Sequence, residues 1–306
     1  MSGKFVERCH LFRTLLKNNC LQVPGAFNGM TGRLCADNGY QALYLSGAAI
    51  SGSNGVPDIG VLTLDQFTKQ IKEVALASGL PLLADADTGF GEGEMVAKTV
   101  WEYFLNGASG LHIEDQVFPK RCGHLDGKQL VPIEDMVKKV QIAVKASQDC
   151  SDGAFIICAR TDAKGVTGIE DTIIRSKAYV DAGADMIFPE GLGSAEEFAM
   201  VSKALEGYGP KGGPFLLANM TEWGKTPYMG VDVFAKLGYH LVIYPVSTFR
   251  VASKAIDLFL KELKTHGTQE NYLDKMQPRQ ELYDTIKYTP GKEWYYPTDS
   301  NSANKK

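Results

Sequence analysis

No run in this 306-residue chain is apolar for the roughly 18 residues that a membrane-spanning helix takes. The first twenty residues, MSGKFVERCHLFRTLLKNNC, hold neither an uninterrupted apolar core nor a small-residue cleavage pattern, so no secretory signal is expected. Basic residues are outnumbered, 32 Lys and Arg against 36 Asp and Glu, giving a net charge of −4. The isoelectric point near 5.8 argues against a nucleic-acid-binding surface, which is normally basic. Cysteine is sparse: the six (Cys9, Cys20, Cys35, Cys122, Cys150, Cys158) form no CxxC pair and no zinc spacing. Scattered thiols without a secretion signal point to a reducing compartment, the cytoplasm ahead of a mitochondrial matrix. No histidine cluster favours zinc. Nucleotide signatures are missing too, since no GxGxxG follows the first apolar run and the turn GFGEG (89–93) lacks the Lys-Ser/Thr of a phosphate loop.

What the chain does have is repetition. Eight short apolar runs recur at 21–27, 42–47, 80–87, 110–115, 155–162, 186–190, 215–221 and 241–246. Most are separated by stretches of helical period, predicted over 64–78, 133–146, 169–182, 195–205 and 253–265. Thr63 is placed to cap the first of these, and Gly183 and Gly207 fall where helices end. Runs as continuous as FIICA and HLVIYPV suit strands buried on both faces. Strand–helix alternation repeated eight times predicts parallel strands, and the reading is a single (β/α)8 barrel over about 21–265, an α/β TIM-type fold; an open doubly wound sheet is the alternative. One domain is expected over residues 1–290, with an N-terminal helix (1–20) and a C-terminal helical extension (268–288) interrupted at Pro278. Residues 291–306 form a polar tail, expected to be disordered at its end. The extension is surplus to the barrel and needs another surface, that of a neighbouring subunit.

In such a barrel the C-terminal strand ends form the active rim. The polar candidates fall there: Tyr44, Ser46 and Gly47 towards the end of the second run, Asp85 and Asp87 at that of the third, Glu114 at that of the fourth, Arg160 and Asp162 at that of the fifth. Glu190 ends the sixth, Asn219, Thr221 and Glu222 the seventh, and Arg250 follows the eighth. Each alone has a structural explanation; their convergence on one rim does not. Asp85 and Asp87, one residue apart, are expected on one face of a strand. With Glu114 nearby they suit Mg²⁺, which binds through a few carboxylates plus water and substrate oxygens. Arg160 and Arg250 suit bidentate recognition of carboxylates. His112, internal to its strand, reads as a packed histidine. The loop KRCGH (120–124) sets Cys122 beside Lys120, Arg121 and His124, cations that draw a thiol's pKa towards neutrality. Gly123 allows that loop a close approach. The set suggests a carboxylated substrate bearing an oxygen next to its carboxylate.

Ten motifs, spread in order along nearly the whole chain, carry a resemblance: YLSGAA (44–49), GVPDIG (55–60), DADTGFG (85–91), HIEDQ (112–116), KRCGH (120–124), ARTDA (159–163), FPE (188–190), NMTEWGKTP (219–227), YPVSTFR (244–250) and MQPRQELY (276–283). The chain resembles the isocitrate lyase/phosphoenolpyruvate mutase superfamily, most closely its methylisocitrate lyase branch. The resemblance implies cleavage of 2-methylisocitrate to pyruvate and succinate in propionate catabolism by the methylcitrate cycle, with Mg²⁺ on Asp85 and Asp87. It implies substrate contacts at Ser46, Gly47, Ala48, Cys122, Gly123, His124, Arg160, Glu190, Asn219, Thr221, Arg250 and Arg279. Tyr44, Asp58, Glu114 and Cys122 match catalytic positions. It further implies a homotetramer in which C-terminal helices exchange between barrels. One departure is Ala48, where many of the family carry glycine. A rival reading is a sibling lyase or hydrolase for isocitrate, oxaloacetate or a related diacid; a non-catalytic paralogue would have lost Asp85, Asp87 or Cys122, and all three are present.

Overall fold

The computed structural model describes residues 2–295 except 122 and 124–126. Eight parallel strands follow one another around the molecule: β1 (Leu21–Pro24), β2 (Leu43–Leu45), β3 (Leu82–Asp85), β4 (Gly110–Glu114), β5 (Ile156–Thr161), β6 (Met186–Pro189), β7 (Phe215–Asn219) and β8 (Leu241–Tyr244). β1 pairs with β8, Leu21 opposite Leu241, and a bridge between Gly25 and Tyr44 joins β1 to β2, closing the barrel. The helices are α1 (Ser2–Asn18), α2 (Gly29–Asp37), α3 (Gly47–Ser53), α4 (Leu64–Ser78), α5 (Glu94–Leu105), α6 (Ile133–Ser151), α7 (Ile169–Asp181), α8 (Ala195–Leu205), α9 (Val231–Lys236), α10 (Ser247–His266) and α11 (Arg279–Thr285).

Local chemistry explains the boundaries. α4 begins where Thr63 and Gln66 form a capping box and ends at Gly79 in the left-handed conformation. Gly183 and Gly207 follow the ends of α7 and α8 with φ of +104° and +66°, values a side chain would resist. α10 starts six residues before its predicted start, so Arg250 lies in a first helical turn. Beyond it a 3-10 segment (Glu270–Lys275) precedes α11, whose first turn opens after Pro278.

Two apolar layers position the site. Leu111, Ile113, Ile157, Ala159 and Ile187 face outwards into a layer shared with the helices. The alternate residues face the axis: Leu21, Val23, Tyr44, Leu83, Ile156, Cys158, Met186, Phe188, Leu217, Leu241 and Ile243, with Phe12 and Leu16 of α1 packed among them. The period of two therefore stacks each strand's inward face. Cys158 lies below Arg160, Leu83 below Asp85, Gly110 and His112 below Glu114, and Leu217 below Asn219. At the bottom, Gly110 admits Ile156, whose Cβ would lie 2.8 Å from any Cβ added there. The interior is apolar at one end and polar at the other. Among the described residues no helix is long and apolar enough to cross a membrane.

Candidate active site

The polar end of the barrel holds a pocket lined by Tyr44, Ser46, Ala48, Asp58, Asp85, Lys120, Gly123, Arg160, Phe188, Glu190, Asn219, Thr221, Ile243, Pro245 and Val246. Thus most of the sequence-predicted residues meet in one place. Gly47 and Glu114 sit directly behind its wall. Gly47 donates its N–H to Asp85 Oδ2 at 3.0 Å, and a Cβ there would stand 2.9 Å from that oxygen. Cys122 and His124 lie outside the described residues. Arg250 is exposed in the first turn of α10, four residues past the lining residue Val246, and Arg279 is exposed at the start of α11, which packs on α2.

The acidic group is tightly organised. β3 ends at Asp85, so strand parity does not place Asp87, as had been expected. Asp87 sits in a turn with φ of +45°, held by its N–H donating to Asp85 Oδ1 at 3.0 Å. A non-glycine residue in that region costs on the order of 1–3 kcal/mol and is commonly found at functional sites. Lys120, noted in the sequence as a cation next to Cys122, is 3% exposed, bonds Asp58 Oδ1 at 2.5 Å and forms an ion pair with Asp87 Oδ1 at 2.8 Å. Burial opposes its charge, but Asp87, Glu114, Asp85 and Asp58 together hold the ammonium well above the ordinary lysine value. Burial pushes Asp87 up to about 6, with Asp85 adding to it and Lys120 opposing. Burial also pushes Asp85 upwards, yet His112, Lys120 and Arg160 outweigh it and hold that carboxyl below its usual value.

His112 was read as a packing residue, and it is fully buried, but it faces the site. Its Nε2 is 2.7 Å from the Tyr44 hydroxyl and 3.6 Å from Asp85 Oδ1. The signal was available: His112 and Glu114 are two apart on β4 and so share the inward face. Burial pushes the imidazole down to about 4 and raises the Tyr44 phenol well above its ordinary value, so both are neutral near pH 7.

Arg160 is a buried cation in the lining of the pocket. Asp162 accepts from its Nε and Nη2 at 3.0 Å each, a two-pronged grip that fixes the guanidinium plane, and Asp162's own N–H donates to Asp115 Oδ1. Glu114 Oε2 is 3.1 Å from Arg160 Nη1, and the Phe188 ring lies 5.2 Å from the guanidinium carbon. Burial raises Glu114 well above the usual carboxylate range, against the pull of Arg160 and Lys120. Gly123 is pressed against this group: an added Cβ would stand 2.4 Å from Glu190 Cγ and 2.6 Å from Arg160 Nη2. Lys128, buried, donates to the Gly123 carbonyl. Glu190 in turn accepts from Asn219 Nδ2 at 3.1 Å.

The donor set fits a hard divalent cation. Asp87 Oδ1 and both oxygens of Glu114 are buried without a hydrogen bond of good geometry, and the carboxylates already enclose one cationic group, Lys120. Among the described residues no three metal-ligating side chains converge.

Fold and site together define a (β/α)8 barrel enzyme for small carboxylated substrates. The chain belongs to the phosphoenolpyruvate phosphomutase family, whose model matches residues 12–264. It is 47% identical to a 2-methylisocitrate lyase of Aeropyrum pernix, covering 89% of this chain and 84% of the relative. A 2-methylisocitrate lyase of Bacillus subtilis is 44% identical, with 90% and 88% covered. Among solved structures, 2,3-dimethylmalate lyase superposes with a TM-score of 0.84 at 34% identity, covering 91% of each chain. Oxaloacetate acetylhydrolase with 3,3-difluorooxalacetate superposes at 0.85 and 33% identity, covering 92% and 93%.

Proposed function

We propose that this chain cleaves the carbon–carbon bond between C2 and C3 of 2-methylisocitrate, releasing pyruvate and succinate. The observation that carries the reading is the make-up of the pocket, in which the polar groups of Arg160, Asn219, Ser46 and Thr221 share the lining with the apolar Phe188, Ile243, Pro245 and Val246. A tricarboxylate bearing a methyl group is complementary to both. The relatives named 2-methylisocitrate lyase, 44–47% identical over about nine-tenths of the chain, support the same substrate.

Asp85 and Asp87 would hold Mg²⁺, which supplies positive charge to the substrate's hydroxyl and adjacent carboxylate. Arg160, its plane fixed by Asp162, binds a substrate carboxylate, and Arg250 at the mouth binds a second. The hydroxyl must lose its proton as C2 becomes a ketone. A phenol held neutral by burial serves as base only by passing its own proton on, and Tyr44 Oη is 2.7 Å from His112 Nε2. Asp58 bears on this end of the site through Lys120. The succinate fragment departs as a carbanion and needs a proton at carbon, for which Cys122 is the donor in the loop that Gly123 brings against Arg160. His124 and Glu190 complete the substrate contacts.

The assembly is a homotetramer in which C-terminal segments exchange between barrels and bring Arg279 to a neighbour's pocket. Supporting this, no residue of α10 is buried, and Val251, Ile256, Leu258 and Leu260 are exposed along it. We place the enzyme in a reducing compartment, the cytoplasm; the described cysteines are all free. A product assay comparing 2-methylisocitrate, isocitrate, oxaloacetate and 2,3-dimethylmalate in Mg²⁺ tests the reading. The highest kcat/KM is expected for 2-methylisocitrate, and preferred turnover of any of the other three acids overturns it.

A further inference from the structure

Trp223 holds a conformation that its side chain does not favour. Its φ is +54°, in the left-handed region that bulky residues rarely enter. Its side chain is nevertheless 80% exposed, so core packing does not impose that backbone. Strain of this kind persists only where the surroundings determine it. Two contacts are in place to do so. The Trp223 N–H donates to Tyr228 Oη at 3.1 Å, and the Arg250 guanidinium carbon lies 5.1 Å from the centroid of the indole ring. Arg250 Nε is also 3.5 Å from Glu222 Oε2, and Ser247 Oγ donates to the other oxygen of that carboxylate. The group sits at the pocket's edge: Thr221, two residues before Trp223, and Val246, four before Arg250, both line it.

We propose that Trp223 is a positioning residue for Arg250, presenting its guanidinium to a substrate carboxylate at the mouth. The inference rests on the reading of Arg250 as a carboxylate ligand. An arginine whose side chain is 49% exposed explores many rotamers and would be ordered only on binding. Contact with an indole face restrains it beforehand. With Nε turned to Glu222, the two terminal nitrogens of the guanidinium are the donors for a carboxylate. Tryptophan offers the most favourable ring face for a cation.

The test uses the full-length, Mg²⁺-loaded protein. Trp223→Leu should raise KM for 2-methylisocitrate about two- to fivefold with kcat within about twofold, the worth of an exposed cation–π contact. Trp223→Phe, which restores an aromatic face, should recover most of the loss, and all three proteins should melt alike. Titration with 2-methylisocitrate or succinate should change the tryptophan emission of the parent protein. That change should vanish in Trp223→Phe, although Trp101 and Trp294 still emit. Unchanged KM in Trp223→Leu, or an emission response that survives in Trp223→Phe, overturns the proposal. Arg250→Lys separates the two levels of inference. If it leaves KM untouched, the assignment of Arg250 itself fails; if it raises KM while Trp223→Leu does not, only the role of Trp223 fails. Should Trp223→Leu not fold, the emission titrations of the parent and Trp223→Phe decide alone.

Discussion

Replacing Gly123 by alanine adds one methyl group at the most crowded point of the pocket. The new carbon would stand 2.4 Å from Glu190 Cγ, 2.6 Å from Arg160 Nη2 and 2.8 Å from Glu190 Cδ, all closer than side-chain carbons ordinarily come. Neither neighbour can step aside cheaply. Arg160 is tied to Asp162 by two hydrogen bonds, and Glu190 accepts one from Asn219. The loop must therefore lift, and with it the segment that carries Cys122. Overpacking of this sort costs about 1–3 kcal/mol. At about 1.4 kcal/mol per tenfold, that is roughly a 5- to 150-fold fall in kcat/KM, and a misplacement of about 1 Å near a reacting centre costs a similar factor. The fall should be read by initial rates on 2-methylisocitrate, with thermal melting beside it. Because the strain can be relieved by moving the loop without repacking the barrel core, Tm should shift by no more than a few degrees. A Gly123→Ala enzyme within twofold of the parent would mean that this loop does not lie against Arg160 and Glu190 during turnover.

Chelation with EDTA should abolish turnover and Mg²⁺ should restore it, with Asp87→Ala refractory to added metal; full activity in EDTA would exclude a metal on Asp85 and Asp87. Cys122→Ser should lower kcat by roughly 10²–10⁴, the usual worth of a positioned general acid, with a much smaller change in KM. Burial lifts the Cys9 thiol to about 12 and Cys20, Cys35 and Cys150 to about 11, so iodoacetamide at pH 7.5 should label Cys122 first, as read by peptide mass. If a different cysteine reacts first, the activated-thiol reading of KRCGH is wrong. Truncation after Thr268 should remove activity and change the sedimentation behaviour; a truncated chain that turns over normally as the same oligomer would detach Arg279 from the site.

The barrel was legible from the chain because it rests on local rules. Each strand is a short apolar run, each helix a 3.6-residue stripe, and α4 and α8 span the very residues their periodicity marked. Alternation along a strand likewise fixes which residues share a face, and the ends of the apolar runs placed Glu114 and Arg160 at the rim without reference to any other strand. Alternation also placed His112 beside Glu114, although the residue was passed over as packing. What alternation cannot reach is whatever lies past the last strand residue. Asp87 departs from β3 in a left-handed turn, and Lys120 comes from a loop whose path is set by contacts 62 and 33 residues away in sequence, at Asp58 and Asp87. A lysine beside a cysteine reads equally well as a surface charge. Only the closed barrel, by taking that ammonium out of water, makes the carboxylates of Asp58 and Asp87 its necessary neighbours. The same holds for Arg250 and Trp223: each is an ordinary exposed residue in the sequence, and they meet only because β7 and β8 end side by side.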